Sequence, residues 1–173
     1  MTHEKTRKMT YTALFTAIVC ILTYIIKIPT ANGYINLGDC GVYTAAVLGG
    51  PFIGSFAGGV GSALADVFGG YTAWAVPTFI IKGIMGFTVG YFAGYKKYIS
   101  VKNILYMIIA GIWMVVGYYF ADIIIFGSSL GTLSAAIIGM IPNSIQNIVG
   151  IITSNIVLAA LSKTGFKGLR NIK

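Results

Sequence analysis

Four ionisable side chains, Asp39, Asp66, Lys82 and Asp122, stand inside or beside stretches that are otherwise apolar enough to lie in a membrane. An ionised group is costly in hydrocarbon, so those that persist face a cavity, a partner or each other. Three chemistries fit such a set. It could capture a polar ligand in a membrane-embedded pocket, relay protons or cations, or form a structural ion pair of Asp66 with Lys82 beside an Asp122–Tyr118 hydrogen bond. The same chain carries the amides Asn36, Asn143, Gln146 and Asn147 and the rings of Tyr34, Tyr71 and Trp74. Amides both donate and accept, and aromatic faces stack on flat rings, so the inventory suits a small planar polar ligand.

The elements that must position these groups are membrane helices. The chain is 57% hydrophobic and 9% charged, against roughly 25% charged in soluble domains, so water is not the solvent for most of its surface. At about 20 apolar residues per spanning helix, the length leaves room for about five or six spans and no soluble domain. The predicted fold is all-α: a single polytopic membrane domain over residues 1–173, with six transmembrane helices in a compact bundle. The net charge of +8 is concentrated at the N-terminus, at 96–102 and in the tail, flanking apolar runs, which marks membrane topology and not a nucleic-acid patch. Cys20 and Cys40 lack metal-ligand spacing, and the single histidine, His3, precedes the first span. With no HExxH and no Walker A sequence, neither enzyme activity, ATP hydrolysis nor a cofactor is expected of this chain. The basic start has no small-x-small cleavage site after its apolar run, so that run is expected to remain as the first span.

That first span is expected at 9–26, with Ala13 and Ala17 sharing a face at i, i+4. A turn-rich loop follows, carrying Pro29, Asn32, Gly33, Asn36 and Gly38. The run 40–48 is too short to cross a bilayer, so the second helix either begins below the surface or takes in part of the loop, which then folds over a pocket. A third span at 51–69 puts Ser55, Gly59, Ser62 and Asp66 on one small, packed face. After a turn at 70–76, a fourth span opens at Pro77 and runs to 95, with Lys82, Gly86, Gly90 and Gly94 forming a seam that aims the ammonium inward. The fifth span, 103–126, places Asp122 one turn beyond Tyr118. Within 131–161, Pro142 is expected to divide a lead-in helix from a sixth span striped with Asn143, Gln146, Asn147, Gly150 and Ser154.

The lysine distribution, with Lys27 as its exception, puts both termini in the cytoplasm. Asp66, Lys82 and Asp122 then lie about 6–8 Å below the outer ends of their spans, level with the amides of the sixth. Asp39 and the loop stand above or beside them. Tyr34, Asn36 and Trp74 join these charged and amide groups as the expected binding residues.

The segments YINLGD (34–39), LGGPFIGSFAGGVGSALAD (48–66), PTFIIKGIMG (77–86) and IPNSIQNIVG (141–150) recur in an order that resembles the substrate-binding S components of energy-coupling factor (ECF) transporters. The likeness covers nearly the whole chain. It points to the riboflavin-type branch, which takes in pyridoxine and hydroxymethylpyrimidine carriers. The resemblance implies a prokaryotic plasma-membrane protein that binds a small water-soluble vitamin near the extracellular side, under the loop joining helices 1 and 2. It also implies a transmembrane coupling subunit and two cytoplasmic ATPases as partners, delivery by toppling in the bilayer, and a role for Ala13 and Ala17 in facing the coupling subunit. The alternative is an autonomous proton- or cation-coupled transporter relaying through Asp66, Lys82 and Asp122; no inverted repeat, which would favour it, stands out.

Overall fold

A computed structural model describes residues 3–30, 33–93 and 98–164. Its elements run α1 (His3–Ile25), β1 (Lys27–Thr30), β2 (Gly33–Asn36), α2 (Gly38–Phe68), α3 (Thr72–Phe92), α4 (Val101–Phe126) and α5 (Leu130–Lys163). All five helices are long and apolar enough to cross a bilayer. Their outward faces carry large exposed hydrophobics such as Phe52, Ile124 and Ile156, as expected where lipid and not water is the surrounding solvent. Tyr43, Met85, Met107, Met114 and Leu158 meet in the interior.

Helix α2 is two rods and not one. Gly50, at φ 85 and ψ −171, breaks it in a conformation that side-chain-bearing residues rarely adopt, and Pro51 opens the second rod. A Cβ added at Gly54 would lie 2.7 Å from Ala46 Cα, and one at Gly58 would lie 3.0 Å from Val42 Cγ1. In a straight helix residues eight apart are about 12 Å apart, so the two halves run antiparallel. The first half, 38–49, is only about 18 Å long and takes in Gly38 and Asp39 from the end of the expected loop segment, one of the two arrangements its short apolar run allows.

The glycine seam expected on α3 is present as far as it is described. A methyl on Gly86 would overlap the Gly54 carbonyl, and one on Gly90 would come within 2.6 Å of the Gly50 carbonyl oxygen. These small residues let α3 and the second half of α2 approach backbone to backbone. Gly94 lies outside the described residues, as do Asn32, Lys96, Lys97 and the tail from 165, on which the charge asymmetry partly rests.

Three boundaries differ from expectation. The segment between α1 and α2 is a β-hairpin, with Lys27 opposite Asn36, Ile28 opposite Ile35 and Pro29 opposite Tyr34. Helix α3 begins at Thr72 and not at Pro77. Gly69 and Gly70 complete the reversal by themselves: Gly70 has φ 81, and the Tyr71 amide already donates to the Asp66 carbonyl at 2.8 Å. Finally, α5 passes through Pro142 without a break, because a proline removes one helical hydrogen bond and a packed membrane helix absorbs that loss. Serine caps start the last two helices: Ser100 Oγ accepts from the Asn103 amide and Ser129 Oγ from that of Thr132.

Candidate functional site

A cavity of about 640 Å³, counted with its open mouth, lies under the hairpin. Every residue expected to bind ligand lines it except Asp39 and Asn147. β2 supplies Tyr34 and Asn36, the end of α2 Asp66, the start of α3 Trp74, its middle Lys82, α4 Asp122, and α5 Asn143 and Gln146.

Lys82 pairs with Asp39 and not with Asp66. The cause is depth. Since α3 starts at Thr72, Lys82 is ten residues in, about 15 Å from the helix start, whereas Asp66 is two residues from the end of α2. Asp39, in the first turn of α2, is at the lower level. Its second oxygen accepts from Gln146 Nε2 at 3.1 Å, and Lys82 Nζ also lies 2.8 Å from Met114 Sδ. The pair is fully buried. Asp39 therefore stands behind the cavity wall, holding Lys82 and Gln146, where the sequence had placed it above or beside the polar layer.

The hairpin is tied to the cavity by the groups expected to hold ligand. Tyr34 Oη donates to Asp66 Oδ1 at 2.5 Å. The Asn36 amide N–H and Nδ2 both donate to Gln146 Oε1, at 3.0 and 3.1 Å. Asn36 Oδ1 in turn accepts from the Gly38 amide at 2.8 Å. Burial, and then the Asp66 carboxylate, push the Tyr34 phenol well above its ordinary pKa, so it stays a donor at neutral pH. Lys27, the outlier in the charge pattern, has a local explanation. Its ammonium lies 4.5, 4.8 and 5.4 Å from the ring centres of Tyr34, Tyr24 and Tyr71, a cation–π cage that anchors the base of the hairpin.

The polar stripe of α5 divides. Asn143 and Gln146 face the cavity. Asn147 Oδ1 instead accepts from the Tyr43 hydroxyl, which also lies 2.9 Å from the Met107 carbonyl oxygen, and a side chain at Gly111 would collide with the Asn147 amide. Asn147 thus locks α2, α4 and α5 together below the cavity. Gly150 leaves room for Asp39, and Ser154 is buried against Met107.

Tyr118, expected beside Asp122, has its hydroxyl 3.2 Å from Thr78 Oγ1. Its ring lies 6.1 Å from that of Trp74, and Tyr71 packs 4.9 Å from Tyr34, so aromatic faces form one wall. Thr23, Ser62 and Thr78 also line the cavity and were not among the expected site residues. The signal was available for two of them: Ser62 precedes Asp66, and Thr78 precedes Lys82, by four residues on the same helix face. Among the described residues no three histidine, cysteine or acidic side chains converge as metal ligands would.

Apolar helices enclosing a polar, aromatic-walled cavity beneath a hairpin define a multi-pass membrane protein with a ligand-sized site. The family model of the ECF-type riboflavin transporter S component matches residues 3–163, and the chain belongs to that family. It is 47% identical over 103 residues to an uncharacterised Pyrococcus woesei protein, covering 59% of this chain and 68% of that one. It is 27% identical over 168 residues to the thiamine precursor transporter HmpT of Lactococcus lactis subsp. cremoris, covering 95% and 93% of the two chains. Among solved structures, the S component of a bacterial ECF transporter superposes with a TM-score of 0.72 at 22% identity, over 92% of this chain and 98% of that one. The biotin S component of an ECF-type ABC transporter gives 0.56 at 23% identity, over 94% and 95%. These two share the fold with this chain.

Proposed function

We propose that this chain is the substrate-binding subunit of an ECF-type importer, and that the cavity under the hairpin captures a small, flat, water-soluble vitamin or precursor. Riboflavin, pyridoxine and hydroxymethylpyrimidine are the molecules of this kind that the family resemblance brings forward, and the name of HmpT adds weight to a thiamine precursor. The observation that carries the proposal is the convergence of β2, α2, α3, α4 and α5 on one cavity with aromatic walls and carboxylate, ammonium and amide groups. Mass spectrometry of the small molecule that copurifies with the protein tests it directly.

Asn143→Ala is expected to weaken ligand binding by about ten- to hundredfold, since a ligand group left unpaired in a desolvated site costs about 1–3 kcal/mol. Its thermal melt should be unchanged. Gln146→Ala should lose binding and also melt earlier, because Gln146 ties both Asn36 and Asp39. Unchanged affinity in both variants, measured by titration in detergent, would remove the amides from the site.

The fold-back at Gly50 supports six crossings, an even number that sets both termini on one side. The basic N-terminus and the lysines near 96–102 make that side the cytoplasm of a prokaryotic cell. A cysteine introduced at 73 should be labelled from outside intact cells and one at 99 protected; the reverse pattern would overturn this orientation. Delivery then falls to a coupling subunit in the membrane and two ATPases beneath it. The face of α1 bearing Ala13 and Ala17 is exposed, while Thr12, Phe15 and Val19 on the other face are buried within the chain, which suits a docking surface for the coupling subunit.

A further inference from the structure

Away from the polar cavity, the seam where the second half of α2 meets α3 carries a groove on the outer face of the bundle. It holds about 870 Å³, counted with its open mouth, and Ser55 is the one hydroxyl in an otherwise apolar lining. Phe52, Phe56, Phe79 and Phe87 stand 45–70% exposed around it. Gly83 forms its floor: a Cβ there would come no closer than 3.7 Å to Ser55, so the two helices leave space at this point. Helices associate in lipid through small residues at the contact, but here the small residues lie below a rim of phenyl rings. A second helix, about 10–12 Å across with its side chains, is held off by that rim, whereas a single methylene chain passes between the rings.

The groove continues toward a positive charge. Phe87 stacks on Tyr91 at 5.8 Å, Tyr91 meets Phe92 at 4.9 Å, Phe92 stacks on Tyr106 at 4.9 Å, and the Lys102 ammonium lies 5.9 Å from the Tyr106 ring centre. Lys102 is exposed at the start of α4. Little negative charge competes for it: of the four acidic residues Asp39, Asp66 and Asp122 lie in the bundle, and Glu4 pairs with Lys8. The 21 residues of α3 rise about 31 Å, one hydrocarbon thickness. Gly83 is nine residues from the Phe92 end, about 14 Å, which is the depth of one leaflet's tails, roughly half of 30 Å.

We propose that this groove takes one acyl chain of an anionic phospholipid from the inner leaflet, with the lipid's phosphate at Lys102. The rings of Phe87, Tyr91 and Phe92 line the path between headgroup and groove, and the tail ends over Gly83. The charge on Lys102 selects an anionic headgroup over a zwitterionic one, and the groove keeps the lipid in place when the surrounding lipids exchange.

The test is native mass spectrometry of the full chain in detergent, offered phosphatidylglycerol and phosphatidylcholine with the same tails in equal amounts. One phosphatidylglycerol is expected to stay bound, preferred at least about fivefold, which is what one lysine beside an anionic headgroup contributes. Gly83→Leu fills the groove at a position with room for its Cβ, and is expected to lose the retained lipid whichever headgroup it carries. Phe87→Ala, which removes a half-exposed wall ring, is the second variant and is expected to weaken retention should Gly83→Leu not fold. Lys102→Gln is expected to keep a lipid but to bind the two headgroups within about twofold of each other. No retained lipid, equal retention of both lipids by the unmodified chain, or undiminished phosphatidylglycerol in the groove variants would overturn the proposal. An intact preference in Lys102→Gln would overturn the headgroup assignment. A Gly83→Leu chain that keeps its lipid but captures less coupling subunit would assign the groove to a partner helix instead. The leaflet alone rests on the orientation proposed above, so labelling of residue 99 from outside cells would overturn the leaflet and leave the binding standing.

Discussion

Replacing Lys82 by methionine is expected to destabilise the protein by about 3–5 kcal/mol, the cost of stranding one charge of a buried pair, and Asp39→Asn in the same chain is expected to restore most of that loss. Lys82 is 2% and Asp39 0% exposed, so neither charge has water to fall back on when its partner is removed. Asparagine at 39 keeps an oxygen for Gln146 Nε2, which donates there at 3.1 Å, so the double variant loses the pair and keeps the amide contact. The control is Lys82→Met with Asp66→Asn. Asp66 holds the Tyr34 phenol and is not the partner of Lys82, so neutralising it should rescue nothing. Thermal melts of the single and two double variants in one detergent settle the pairing. Rescue by Asp66→Asn, with none by Asp39→Asn, would return Lys82 to the partner its sequence position first brings to mind.

That misassignment shows what spacing conveys and what it does not. The seam Lys82, Gly86, Gly90 and the face Ser55, Ser62, Asp66 were legible because a 3.6-residue period fixes which side of a helix a residue occupies. The level of a residue relative to other helices depends on where each helix starts, and two starts were hidden. The Gly69-Gly70 reversal is shorter than the 70–76 turn expected, which moves Lys82 a turn or more deeper. Asp39 was placed with the loop above or beside the polar layer, whereas it lies in the first turn of α2. The hairpin stayed hidden because Pro29, Gly33 and Gly38 read as turn composition, although Gly33 lies in β2 opposite Thr30. The fold-back of α2 at Gly49-Gly50-Pro51 was visible as punctuation between two apolar runs. For Asn147 no local pattern separates it from Gln146 one position earlier. Its role follows from Tyr43 and Gly111, residues distant in sequence that the bundle brings against it.

Tryptophan in place of Ala13 or Ala17 is expected to bring uptake down to background while ligand affinity and the thermal melt stay as they were. Both alanines lie on the exposed face of α1, among outward Leu14, Ile18 and Ile21, and contribute nothing to the interior. Surface substitutions of this kind usually change stability by no more than about 0.5 kcal/mol. The cavity is lined from α1 only by Thr23, more than one helical turn beyond Ala17, so an indole at 13 or 17 does not reach it. Close helix approach in lipid depends instead on small residues at the contact, where no hydrophobic drive compensates for lost packing. A large ring there holds a docking helix away from the α1 backbone along the stretch where the two would meet. The measurements are ligand titration of the purified variants, capture of the coupling subunit by the tagged chain, and uptake by cells containing the ATPases. Binding retained with capture and uptake both lost is the expected result. Binding lost while the complex still assembles, or uptake unchanged in both variants, would show that α1 docks no partner through this face.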